Sequence, residues 1–219
     1  MTDQDQDRHT ERGTVSAIRA YLFDMALTLD KLPVDRIIRV VDVLNDARDK
    51  GRRVFIFGNG GSAATASHIA CDLAKGAAGN DRPGLRAFSL NDSIPLTTAW
   101  ANDTDYENIF SAQLVGLADP GDVVIAISGS GNSPNVLNGV RAARIRGATT
   151  IGFSGFDGGR LPSLVDIAIV VNNHVMEQVE DVHLLLGHVI TTCLRQDGIK
   201  QKTSMEAEAV RVHSEALAR

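Results

Sequence analysis

The spacing of apolar residues changes partway along the chain. From Val15 to Leu32 they recur every three or four positions, as on one face of a helix, and a second helical stretch follows Pro33. Beyond residue 50 the apolar residues form short continuous runs, which are typical of strands buried on both faces. We predict five strands, at residues 54–58, 85–90, 123–128, 149–154 and 167–171.

Helical stretches separate most of these strands. They are predicted over residues 62–76, about 92–101, 105–117 and 134–146, with a long closing helix at about 176–196. Alternating strands and helices favour an α/β fold, here a doubly wound five-stranded parallel sheet flanked by helices and preceded by an N-terminal helical pair. We divide the chain into a disordered N-terminus at 1–13, N-terminal helices at 14–50, a single α/β domain at 51–196 and a polar C-terminal tail at 197–219.

Composition limits the partners. The net charge of −5 argues against nucleic acid or an anionic membrane as the main partner. No apolar run approaches the roughly 20 residues that cross a bilayer, and the polar N-terminus lacks a signal peptide. Cys71 and Cys193 both fall in predicted helices and do not form a disulfide pattern, so we expect a cytoplasmic protein.

A glycine-rich loop follows the first strand, at residues 58–62. Its glycines allow a sharp turn, Asn59 tolerates unusual dihedral angles, and Ser62 is a good N-cap for the next helix. The free N–H groups at a helix start bind anions. A plain strand-to-helix turn would have the same composition, and the spacing matches neither a P-loop nor a dinucleotide-binding motif.

A second loop of similar character, the serine loop at residues 128–136, follows the third strand. Ser128, Ser130 and Ser133 supply three hydroxyls, and the intervening glycines let the backbone approach an anion. Open α/β sheets bind ligands at the carboxyl ends of their strands, where both loops lie. Because the two loops offer hydroxyls and amides but no arginine, they suit a small sugar phosphate better than a nucleotide.

Polar residues of the neighbouring helices add candidate chemistry. His68 and Asp72 lie one turn apart on one helix face, directly after the glycine loop. On the closing helix, Glu180 and His188 are about 80° apart and can converge on one cavity. His183 lies near Glu180, and we interpret it as a supporting or structural residue.

With these loops and helix residues, the chain resembles the sugar isomerase (SIS) domain family, and within it the phosphoheptose isomerase branch. Five motifs carry the resemblance, and their order and spacing are more specific than any one of them. They are GNGGSAATASHIACDL at 58–73, AND at 101–103, ISGSGNSPNV at 127–136, GFDGG at 155–159 and EQVEDVHLLLGHVI at 177–190.

The resemblance implies a set of functional positions. The sugar-phosphate contacts would be Asn59, Gly60, Gly61, Ser62, Asn102, Asp103, Ser128, Ser130 and Ser133, and a Zn²⁺ ion would be held by His68, Asp72, Glu180 and His188. Two of these four positions depart from the family pattern, with Asp72 replacing a glutamate and Glu180 replacing a glutamine.

The activity implied is isomerisation of sedoheptulose 7-phosphate to D-glycero-D-manno-heptose 7-phosphate through an enediol. Such chemistry needs a base at carbon and a proton shuttle at oxygen, and we assign Asp72 and His188 to these roles. His68 and Glu180 would be metal ligands or orienting groups.

Two alternatives remain open. One is a non-catalytic SIS-domain regulator that binds a phosphosugar and a partner protein, as in the branch that binds a replication initiator. The other is an isomerase of a different sugar phosphate. Because Asp72 and His188 are both present, catalysis is favoured over regulation. The apolar N-terminal helices and the resemblance favour a homotetramer with sites at subunit interfaces.

Overall fold

The computed structural model describes residues 3–79 and 82–217, and the side chains of residues 13–79 and 82–196. The chain divides into two compact units, Met1–Leu32 and Pro33–Arg219.

The first unit consists of helix α1, Asp3–Asp30. This helix includes most of residues 1–13, where the polar composition predicts disorder; Met1 and Thr2 lie outside the described residues. Glutamine, glutamate and arginine in that segment are good helix formers, so the segment can be helical without an apolar face. Several large apolar side chains of α1 are exposed, namely Val15, Ile18, Leu22, Phe23 and Leu27.

The second unit alternates strands and helices as the apolar pattern predicts. Its strands are β1 Arg53–Gly58, β2 Arg86–Ser89, β3 Val123–Ser128, β4 Thr149–Gly155 and β5 Ile167–Val171. Its α-helices are α2 Val34–Asp49, α3 Gly61–Cys71, α4 Ile94–Asp103, α5 Ser111–Leu117, α6 Pro134–Ile145 and α7 Met176–Leu217. Short helical turns are a π-helical turn Asp72–Gly76 and 3₁₀ turns Tyr106–Asn108 and Leu161–Ser163.

The five strands of the described chain form one parallel sheet in the order β2-β1-β3-β4-β5. The predicted fold class is therefore confirmed. The chain leaves β1 toward the β2 edge and returns to place β3 on the other side of β1, with Gly58 paired to Ile127 at the end of the register. The glycine loop and the serine loop thus flank the switch point, which is the ligand-binding crevice of open α/β sheets.

Strand residues alternate between two helical layers. Phe55 and Phe57 of β1 pack in a buried cluster with Phe110 and with Leu114 of α5 and Val140 of α6. The ring centroids of Phe57 and Phe110 are 4.7 Å apart. Helices α2, α3 and α7 cover the opposite face of the sheet. Both faces are therefore buried, as the continuous apolar strands require.

Two helices depart most from the sequence prediction. The helix predicted over residues 105–117 is divided into a 3₁₀ turn and α5, and the helix predicted to end near residue 196 continues as α7 to Leu217. Polar residues beyond 196 carry no apolar periodicity, which is why the pattern did not extend the helix there. Among the described residues, no helix combines the length and apolar character needed to cross a membrane.

Candidate active site

Three polar side chains from two helices meet at one point. His68 lies on α3, Asp72 begins the π-helical turn that follows it, and His188 lies on α7. The Nε2 atoms of the two histidines are 3.2 Å apart. The Oδ2 atom of Asp72 lies 3.5 Å from Nε2 of His68 and 3.6 Å from Nε2 of His188. We call these three residues the His–Asp cluster.

The His–Asp cluster is accessible to a ligand. The side chains of His68, Asp72 and His188 are 48%, 27% and 51% exposed. Ligand atoms of the three residues all lie within 4.8 Å of one another, and their two imidazole nitrogens and one carboxylate oxygen are donors that Zn²⁺ accepts. The donor set therefore fits a divalent metal ion.

Glu180, the fourth residue of the expected metal set, lies elsewhere. A Cβ built on Gly61 would clash with both carboxylate oxygens of Glu180. Gly61 is the first residue of α3, so this carboxylate covers the positive end of the helix dipole. Within the described residues, the metal-ligating group contains His68, Asp72 and His188 without Glu180.

The glycine loop has a geometry that its composition explains in part. Gly60 takes φ 54° and ψ −124°, which a residue with a side chain rarely adopts, and it precedes α3 as the N-cap. The expectation that Ser62 caps the helix is wrong, because Ser62 lies inside the first turn and is only 5% exposed. Its Cβ faces Gly58, where a built Cβ would approach it to 2.7 Å.

Hydrogen bonds of Asn59 connect the glycine loop to the serine loop. Its amide forms a reciprocal pair with Asn135 of α6, at 2.9 Å and 2.8 Å, and its Oδ1 atom also accepts from the hydroxyl of Tyr106 at 3.2 Å. Sequence reasoning did not assign a role to Asn135 or Tyr106. Asn135 lies within the ISGSGNSPNV motif, but nothing in its spacing pointed to a partner 76 positions away.

The serine loop is held in shape by its own contacts. The hydroxyls of Ser128 and Ser133 are 3.2 Å apart, and the Ser130 hydroxyl accepts from the backbone N–H of Asn132 at 3.2 Å. Ser130 is exposed and Ser133 is partly exposed, whereas Ser128 is buried. Ser130, which is exposed, and Ser133, which is partly exposed, are therefore the serines of this loop that a ligand at the switch point can reach.

Helix α7 passes over all three parts of this region. Met176 contacts Gly129 of the serine loop, Glu180 covers the glycine loop, and His188 faces His68. With a rise of 1.5 Å per residue, Glu180 and His188 are about 12 Å apart along the helix axis. The serine loop, the glycine loop and the His–Asp cluster are thus arranged in sequence along one helix.

Asn102 and Asp103 lie at the exposed C-terminal end of α4. The Asn102 amide donates to the Asp103 carboxylate at 2.8 Å. In the described part of the chain, no hydrogen bond joins either residue to the two loops. Their predicted contact with substrate stays a prediction.

His183 is buried below the candidate site on α7. It is 1% exposed, its ring lies 6.1 Å from that of Phe153, and neither ring nitrogen meets a hydrogen-bond partner within the described residues. Burial lowers the pKa of His183 to about 4, and the nearby backbone of Ser154 opposes the shift without reaching hydrogen-bond geometry. The ring is therefore neutral, in agreement with a structural role.

Comparison with known proteins gives a consistent result. The family model of the SIS domain matches residues 20–155. Phosphoheptose isomerase from Aquifex aeolicus is 38% identical over 167 residues, which are 76% of this chain and 87% of that protein. The same enzyme from Paramagnetospirillum magneticum is 41% identical over 152 residues, covering 69% of this chain and 79% of the relative. The structure of phosphoheptose isomerase from Neisseria gonorrhoeae superimposes with a TM-score of 0.77 at 28% identity, over 84% of this chain and 97% of that one.

The open α/β sheet, with its switch point between β1 and β3, is that of a SIS fold. The chain belongs to the SIS domain family. The relatives named above are phosphoheptose isomerases, so the resemblance carried by the five sequence motifs is confirmed.

Proposed function

We propose that this protein is an aldose–ketose isomerase of a sugar phosphate, acting on sedoheptulose 7-phosphate and D-glycero-D-manno-heptose 7-phosphate. The observation that carries the proposal is the meeting of His68, Asp72 and His188, whose side chains lie together and partly exposed, with His68 about two helical turns along α3 from the glycine loop. A carboxylate and imidazoles within hydrogen-bond reach of a carbonyl carbon are the groups that proton transfer through an enediol requires.

Different residues of the His–Asp cluster carry out the two proton transfers of the reaction. Asp72 removes a proton from C1 of the ketose and returns it to C2 of the product. His188, whose Nε2 atom is 3.6 Å from the Asp72 carboxylate, moves the proton between the two oxygens. His68 orients Asp72 from one turn earlier on the same helical segment. This division preserves all atoms and needs no redox cofactor.

The substrate phosphate is assigned to the serine loop. Glu180 already places a carboxylate over the start of α3, and a phosphate at the same point would repel it. The serine loop offers the hydroxyls of Ser130 and Ser133 at the start of α6, whose first turn lies in the same crevice. Phosphate binding there would fix the distal end of the sugar and leave its carbonyl end toward the His–Asp cluster.

The metal proposed for this site is Zn²⁺. His68 would hold it as a ligand that the proton transfers do not use, and donor atoms of Asp72 and His188 lie within reach of the same ion. When bound, it would polarise the carbonyl oxygen and stabilise negative charge on the enediolate. The position of Glu180 beside the glycine loop makes it a candidate to orient substrate hydroxyls, while its role as a fourth metal ligand remains a hypothesis.

Oligomerisation and location are also proposals. The exposed apolar side chains of α1 support assembly into a homotetramer, since such a face is costly to leave in water. Cys71 and Cys193 are free thiols, which is compatible with a reducing cytoplasm. Both proposals can be checked by light scattering and by fractionation of the source cells.

The proposed activity is tested by incubating the purified protein with a panel of ketose and aldose phosphates of five to seven carbons. Proton NMR follows each mixture with and without added Zn²⁺. We expect conversion of sedoheptulose 7-phosphate to be the fastest reaction. Faster turnover of a shorter sugar would favour the alternative substrate, and no turnover of any would favour the regulator.

Loss of the serine hydroxyls is expected to weaken substrate binding. Ser130→Ala and Ser133→Ala each remove a hydrogen bond to a charged phosphate, worth about 1.5–3 kcal/mol, so KM should rise by up to roughly a hundredfold. Steady-state kinetics with sedoheptulose 7-phosphate measure the effect. Ser93→Ala, in which the lost hydroxyl is the N-cap of α4 near the sheet edge, is the control and should keep the wild-type KM. Unchanged KM in both loop variants would contradict this phosphate assignment.

Metal removal is expected to abolish turnover. The purified protein should contain about one divalent ion per chain by mass spectrometry, chelation should remove it together with activity, and Zn²⁺ should restore both. His68→Ala should fail to retain the ion, whereas His174→Ala, at an exposed histidine outside the cluster, should retain it. Full activity in a metal-free sample would contradict the zinc proposal.

A further inference from the structure

The two oxygens of Asp72 have different surroundings. Oδ2 is the atom that faces His68 and His188. Oδ1 points toward the other end of the π-helical turn, where a Cβ built on Gly76 would lie 3.7 Å from it. The same Cβ would lie 3.4 Å from Nη2 of Arg195. The Arg195 guanidinium and the Asp72 carboxylate thus both border the side-chain-free face of Gly76, without forming an ion pair with one another.

Arg195 also binds the turn directly. Its Nε atom donates to the carbonyl oxygen of Gly76 at 2.6 Å, a short charge-assisted bond. Gly76 ends the π-helical turn that Asp72 begins, and Ala77 N–H closes that turn onto the Asp72 carbonyl at 2.8 Å. A single π-helical turn inside a helix is uncommon and is frequently associated with functional positions.

Arg195 and His188 lie on one side of α7. They are seven residues apart, which is close to two full turns, so their side chains leave the helix in nearly the same direction. Thr191 lies between them, with its methyl group 3.2 Å from the built Cβ of Gly76. One face of α7 thus supplies His188 to the Oδ2 side of Asp72 and Arg195 to Gly76 at the other end of the π-helical turn.

We propose that Arg195 is a positioning residue for the isomerase reaction: it holds the end of the π-helical turn and directs the Asp72 carboxylate toward His68 and His188. The proposal rests on the function proposed above. Arg195 acts through Gly76 and Asp72 and does not bind the substrate phosphate, which is assigned to the serine loop. Its loss therefore affects turnover and leaves substrate binding nearly unchanged.

The test compares three variants with the wild type. Arg195→Ala removes the contact, Arg195→Lys keeps a positive donor, and Arg144→Ala is a matched control, because the exposed Arg144 also donates to a backbone carbonyl, that of Leu164, at 2.6 Å. We expect Arg195→Ala to lower kcat by about 10- to 100-fold, the effect of a misplaced reacting group, with KM within about twofold of wild type. Arg195→Lys should restore at least a third of the fall in log kcat that Arg195→Ala causes. Arg144→Ala should have the wild-type kcat and KM.

Several results would overturn the proposal. Wild-type kinetics in Arg195→Ala would show that the contact is dispensable. A rise in KM larger than the fall in kcat would make Arg195 a substrate-binding residue. A fall in kcat that lysine does not relieve, together with a melting temperature well below that of Arg144→Ala, would make its role structural only.

Crystal structures of the wild type and Arg195→Ala in one crystal form separate this proposal from the proposed function. We expect the Asp72 carboxylate to turn away from the two histidines in the variant. An unchanged carboxylate would contradict the positioning role even if the enzyme is active. A displaced carboxylate would support it even if the wild type isomerises none of the sugars tested.

Discussion

Asp72→Asn is expected to lower kcat by about 10²–10⁴, the usual contribution of a general base, with little change in KM. The amide has the shape of the carboxylate and keeps some of its hydrogen bonding, but it cannot accept the proton from carbon. His188→Ala should lower kcat to a similar extent, because it removes the partner whose Nε2 atom lies 3.6 Å from the Asp72 carboxylate. Steady-state rates with sedoheptulose 7-phosphate give both values.

Asp46→Asn is the matched control for Asp72→Asn. Asp46 is also a helical aspartate, but its carboxylate pairs with Lys50 on the surface, where an ion pair contributes little. This variant should keep the wild-type kcat. If Asp72→Asn is as fast as the wild type, Asp72 is a structural residue, and Glu180 beside the glycine loop becomes the next candidate for the base.

Acid is expected to destabilise the fold through His183. The pKa of this ring is about 4 in the folded protein, against an ordinary value of 6.5 for an unfolded chain. Between these values the unfolded chain binds more protons than the folded one, so the free energy of unfolding falls as the pH is lowered from about 6.5 to 4. The loss attributable to His183 should reach about 3 kcal/mol.

His183→Leu separates this contribution from that of the carboxylates. The variant replaces a neutral buried ring with an apolar side chain that does not titrate, so its unfolding free energy should fall less steeply over the same pH range. Urea unfolding at pH 7.5, 6, 5 and 4.5 gives the two curves. His174→Leu, at an exposed histidine, should retain the wild-type slope. Parallel curves for the wild type and His183→Leu would contradict the assignment.

Most of the fold was predictable because strands buried on both faces of a parallel sheet form short continuous apolar runs. The runs at 123–128 and 167–171 coincide with β3 and β5, since apolar β-branched residues leave few alternatives there. Segments whose structure depends on tertiary contacts were less accessible. The π-helical turn at Asp72–Gly76 has no local sequence signal, because one of its carbonyls is held by an arginine 119 positions later.

The candidate site was predictable where residues share a helix and less so where they meet across the fold. The spacing of His68 and Asp72 placed both on one face, and the family motifs paired them with His188. The position of Glu180 over Gly61 could not be predicted from helix geometry. An angle of about 80° between Glu180 and His188 allows Glu180 to join His188 at a metal ion or to lie beside the glycine loop. Asn135 and Tyr106 were missed because their contacts with Asn59 depend on how two loops approach one another.

The central claim is that this protein transfers a proton between C1 and C2 of a sugar phosphate. It is tested most directly by running the reaction of sedoheptulose 7-phosphate in D₂O and examining C2 of the aldose product by NMR. An enediol intermediate with Asp72 as the base predicts that deuterium from the solvent appears at C2, because the partly exposed carboxylate exchanges its proton before returning it. Absence of any aldose product, or a product formed by Asp72→Asn at the wild-type rate, would contradict the claim.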